Sequence, residues 1–82
     1  MSKRVARKAD SQSADNEQLR KELGSKIRKA REAAELTQAE VATKADINVS
    51  YYAEIERGEV NPSVDKLHSI LKVLKVKSFN IL

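Results

Sequence analysis

Apolar residues recur at Leu19, Leu23, Ile27, Ala30 and Ala34, at spacings of three and four that place them on one side of an α-helix. The pattern predicts a first helix from about Ser13 or Asp15 to Ala34. Gly24 falls inside it, where glycine costs about 1 kcal/mol relative to alanine, so another element is expected to approach closely there. Arg31 interrupts the apolar side and calls for a carboxylate partner. Thr37 and Glu40 then stand at the capping-box spacing, which predicts a second helix beginning at Thr37. Val41, Ala42 and Ala45 share one side of it, and Ala42 is small enough for another helix to cross closely. Asp46, Ile47 and Asn48 break the pattern. Asp tolerates the left-handed backbone of a tight turn, and Asn48 is a good N-cap for a third helix that runs to Arg57 and is ended by Gly58. Beyond a loop at Glu59 to Pro62, Ser63 caps a fourth helix through Leu74, with Val64, Leu67, Ile70, Leu71 and Leu74 as its inner stripe. Ser78 is placed to cap a fifth helical turn. The expected class is all-α, a compact five-helix bundle.

At about 100° per residue, Tyr52, Ile55 and Glu56 cluster on one side of the third helix, and Val49, Ser50, Ala53, Glu54 and Arg57 on the other. The first side docks and the second faces out. Short side chains at the outward start of a helix suit insertion of its N-terminal half into the major groove of double-stranded DNA.

The segment from Leu23 to Leu67 resembles the Cro/C1-type helix-turn-helix domain of phage repressors and related bacterial regulators, a lambda-repressor-like fold. The residues that carry the resemblance are Leu23-Gly24, Ile27-Arg28 and Arg31, Leu36-Thr37-Gln38, Val41-Ala42, Ile55-Glu56-Arg57-Gly58 and Pro62-Ser63. Asp46 departs from the glycine usual in the family's turn, and Glu54 from a neutral or basic residue. The resemblance implies that Arg31 and Glu56 form an ion pair across the core. It implies base contacts from Val49, Ser50, Tyr51 and Glu54, and DNA-backbone contacts from Gln38, Thr43, Arg57 and the loop of Val60, Asn61 and Ser63. Gln38 begins its helix, where free backbone donors and the positive end of the dipole favour a phosphate. Phosphate contacts position such a domain and base contacts specify the sequence.

Charge refines this picture. Of the net +4, residues 1–10 supply +3, from Lys3, Arg4, Arg7 and Lys8 against Asp10. The body is therefore nearly neutral, and affinity for nucleic acid has to come from local placement of bases, helix dipoles and the tail. Residues 1–14 lack apolar periodicity and are expected to form a disordered basic N-terminal arm, with residues 15–82 as the DNA-binding domain. Val76, Phe79, Ile81 and Leu82 exceed what one small domain hides, which makes them candidates for a homodimer interface. A twofold-symmetric operator follows from that.

Other chemistry finds little support. The chain has no cysteine, and its one histidine, His68, has no clustered ligand partner, so a surface position and no metal are expected. Carboxylates are scattered, and neither glycine lies in a phosphate-cradling loop, so no enzyme activity, cofactor or small-molecule ligand is expected. No apolar run approaches the roughly 20 residues of a membrane helix, and the start lacks a signal peptide's apolar centre. A cytoplasmic location is expected. The competing reading is a protein-interaction or dimerisation module, such as an antitoxin or anti-repressor scaffold.

Overall fold

The computed structural model describes residues 16–75, which form four helices and no strands: α1 (Glu17–Ala33), α2 (Gln38–Ala45), α3 (Val49–Glu56) and α4 (Val64–Leu74). Each begins at a side-chain cap. Asn16 accepts from the Leu19 N–H, and Thr37 and Glu40 form both halves of a capping box around α2. Asn48 accepts from the N–H groups of Ser50 and Tyr51 at the start of α3, and Ser63 accepts from Lys66 at the start of α4. The boundary of α1 differs from expectation, because Asn16 provides the cap and Ala33 is the last helical residue. The basic arm, the fifth turn at Ser78 and the cluster Val76, Phe79, Ile81 and Leu82 lie outside the described residues.

α1 packs on α3, α2 on both α3 and α4, and α4 makes a smaller contact with α1. The core they enclose contains Ile27, Val41, Ala42, Ala45, Tyr52, Ile55, Ile70 and Leu74, with Leu23, Ala30, Leu36, Ile47 and Leu67 packed against it. Gly24 marks the α1–α3 crossing: a Cβ there would stand 2.5 Å from the Glu56 carbonyl oxygen. The close approach read from the sequence is thus backbone against backbone. The turn between α2 and α3 turns on Asp46, whose φ of 60° and ψ of 47° are left-handed, and Gly58 closes α3 with a φ of 75°.

Three stripe positions lie outside the core. Leu19 is 57% exposed and Val64 82% exposed, and Ala34 is exposed as the C-cap of α1. Periodicity identifies the correct face in each case.

Candidate nucleic-acid interface

The N-terminal half of α3 presents Val49, which is 45% exposed, and Ser50, also exposed, at its open end. The Asn48 side chain fixes that end by accepting from Ser50 N at 2.8 Å and Tyr51 N at 3.2 Å. Tyr52, Ile55 and Glu56 are buried on the opposite side, as the helical wheel requires. Tyr51 and Glu54 are half-buried. The Tyr51 ring packs on the core edge with the Lys66 ammonium 6.0 Å from its centroid, at the outer limit of a cation–π contact.

Thr43 is exposed on α2, Val60 packs its side chain against the core, and Asn61 is exposed in the loop. Ser63 accepts from Lys66 N–H at 3.2 Å through its hydroxyl and from Leu67 N–H at 2.9 Å through its carbonyl. Arg57 bonds Glu59 at 2.8 and 3.1 Å and not Glu54 one turn earlier. Its guanidinium is thereby strengthened as a base, and the Glu59 carboxyl is held below its usual range by the same bonds. The pair is more than half exposed, so it contributes little stability and yields readily to another anion.

Behind this surface lies one buried carboxylate. Glu56, with a side chain 2% exposed, accepts from Arg31 Nε at 2.7 Å and Arg31 Nη2 at 3.2 Å. Tyr52 Oη donates to it at 2.5 Å and Gln38 Nε2 at 2.9 Å. Burial pushes the Glu56 carboxyl up, but the hydrogen bonds from Arg31, Tyr52 and Gln38 outweigh that and hold it below the ordinary glutamate range. The Tyr52 hydroxyl is driven well upward by burial and then by its bond to Glu56. Arg31 Nη1 also donates to the Leu36 carbonyl at 2.9 Å, which ties the α1–α2 link to the same cluster.

The Arg31–Glu56 pair matches the reading from sequence. The Tyr52 and Gln38 bonds were not read there. Tyr52 and Glu56 are four apart on one helix face, and a buried phenol needs a partner, so that contact had a signal. A bond between Gln38 and Glu56, eighteen residues apart, had none. Arg20 was likewise missed: its Nε donates to the Gly58 carbonyl at 3.1 Å, fastening α1 to the end of α3.

Residues 27–80 match the family model described as helix-turn-helix. A 55-residue stretch is 36% identical to the immunity repressor protein of Bacillus phage phi105, covering 67% of this chain and 38% of that protein. An uncharacterized HTH-type transcriptional regulator of Mycobacterium tuberculosis is also 36% identical over 55 residues, covering 67% of this chain and 39% of that protein. The match thus spans about two fifths of either relative. Among solved structures, the clp gene regulator ClgR from Corynebacterium glutamicum superposes with a TM-score of 0.73 at 28% identity, covering 77% of this chain and 82% of that one. The restriction-modification controller protein C.AhdI from Aeromonas hydrophila has a TM-score of 0.73 at 24% identity, covering 76% of this chain and 94% of that one, a likeness of fold. By the family match and by the order of its motifs, the chain belongs to the Cro/C1-type helix-turn-helix family.

Proposed function

We propose that this chain is a sequence-specific double-stranded DNA-binding transcriptional regulator, of repressor or controller type, acting as a homodimer on a twofold-symmetric operator. The observation that carries this reading is the exposed, side-chain-poor start of α3, held by its Asn48 cap and braced from behind by the buried Glu56 cluster. Val49, Ser50, Tyr51 and Glu54 meet base edges in the major groove. The first-turn N–H groups of α2, with Thr43, Arg57 and the backbone of Val60, Asn61 and Ser63, hold the flanking phosphates, while the Gln38 side chain is taken up by Glu56. Similarity to a phage immunity repressor and to a gene regulator supports the regulatory class.

One recognition helix reads too few base pairs for an operator, so two copies bind half-sites about 34 Å apart. Val76, Phe79, Ile81 and Leu82 are the proposed contact between copies. Selection of bound duplexes from a random pool, followed by mobility shifts over a salt series, tests the reading. A palindromic consensus bound cooperatively is expected. Sedimentation should show a dimer at tens of micromolar that Phe79→Asp converts to a folded, weakly binding monomer. A chain that shifts no duplex even at low salt would instead be a protein-interaction module.

A further inference from the structure

α2 and α3 are joined at one end by the turn Asp46–Asn48, so Gln38 starts the pair and Glu56 finishes it. The Gln38 Nε2 to Glu56 Oε1 bond, at 2.9 Å, links these two far ends, the mouth of the pair. Each arm has eight residues and is about 12 Å long, so a shift of about 1 Å at the mouth tilts one arm against the other by about 5°.

The acceptor at the mouth is well fixed. Glu56 is clamped by both Arg31 donors from α1 and by the Tyr52 hydroxyl within α3, and Gln38 is the donor that comes from α2. A neutral amide bonded to a buried carboxylate makes a charge-assisted contact, stronger and more directional than one between neutral groups. Only the Nε2 group of Gln38 is engaged; no other partner of that side chain occurs among the described residues.

We propose that Gln38 is a positioning residue for operator recognition: through Glu56 it sets the angle between the phosphate-anchoring start of α2 and the base-reading helix α3. This rests on the DNA-binding reading above. Register between anchor and reader matters only where bases are read. Binding to arbitrary duplex needs phosphate contacts alone. A direct phosphate contact by Gln38 would weaken both kinds of binding equally, whereas a positioning role weakens operator binding selectively.

The test compares Gln38→Met and Gln38→Glu with wild type, measuring dissociation constants for the selected operator and for a scrambled duplex at fixed salt. Gln38→Met keeps length and loses the donor. Its operator affinity should fall about tenfold, the size expected for a hydrogen bond to a charged acceptor, with scrambled-duplex affinity unchanged within about twofold. Gln38→Glu sets two carboxylates together, which share a proton and titrate above the usual range. At pH 7.5 its ratio of operator to scrambled affinity should collapse, and at pH 5.5, where the shared proton restores the donor, it should recover toward the wild-type ratio. That variant carries the test should Gln38→Met fail to fold. Equal losses on both duplexes, no loss at all, or a Gln38→Glu ratio indifferent to pH would each overturn the proposal. A wild type that binds no duplex overturns the functional reading itself, and Gln38's role with it.

Discussion

Replacing Arg31 with alanine should do more than destabilise the domain; it should reverse the sign of its acid response. In the wild type the folded Glu56 carboxyl sits below its ordinary value of 4.5. Stability from that depression is present above the unfolded value and is lost as pH falls through the folded one. Arg31→Ala removes both guanidinium bonds and leaves a carboxylate 2% exposed with only Tyr52 and Gln38 as donors. Burial then dominates, and the folded carboxyl moves above its unfolded value. The folded state now binds the proton more tightly, so the variant loses stability near neutrality and regains part of it on acidification. Breaking a buried pair costs about 3–5 kcal/mol, and the 13% exposure of Arg31 points to the lower end. The lost bond to Leu36 adds about 1 kcal/mol. At about 0.05–0.15 kcal/mol per residue, 60 described residues hold roughly 3–9 kcal/mol, so much of the total is at stake. Urea unfolding at low temperature, repeated from pH 4 to pH 8, measures both effects. A variant within about 1 kcal/mol of wild type at pH 7, or one whose stability falls with acid as the wild type's does, would refute the account of the cluster.

Gly24→Ala should destabilise the fold in spite of alanine's helix propensity: the gain of about 1 kcal/mol is smaller than the cost of driving a Cβ to 2.5 Å from the Glu56 carbonyl, and thermal melting reads the sign. Glu54→Gln should change preference at one position of each half-site by about 1–3 kcal/mol, since a carboxylate accepts from cytosine N4; an unchanged selected consensus would remove Glu54 from the base-reading set. Deleting Met1 to Lys8 removes four cations and should lower affinity similarly on every duplex while flattening the salt dependence, with sequence preference retained.

The local grammar of the fold was legible in the chain. The caps at Thr37, Asn48 and Ser63, the left-handed turn at Asp46 and the tight crossing at Gly24 all follow from what those residue types do to a backbone. Glu56 was legible because a wheel places a charged residue among Tyr52 and Ile55, and the family resemblance supplies Arg31 as its partner. What escaped is what depends on reach. Leu19 and Val64 have the right phase yet stand exposed, and Arg57 reaches Glu59 two residues on. Gln38 reads as a phosphate contact at a helix start until folding brings the far ends of two helices together. Exposure of Val49 and Ser50 agrees with the outward face read from the helical wheel, while half-burial of Tyr51 and Glu54 leaves those two less surface to offer.

The crossing at Gly24 has a consequence for the DNA. With main chain seated against main chain, and Arg20 pinned to the Gly58 carbonyl, the recognition helix has no side-chain cushion in which to tilt against α1. On the proposed reading, and where the contact between copies is equally firm, any mismatch between the spacing of two such helices and the pitch of the duplex is absorbed by the duplex. Bending and twisting energies depend on base step, so the flexible steps TA and CA should be enriched between half-sites, at positions no side chain touches.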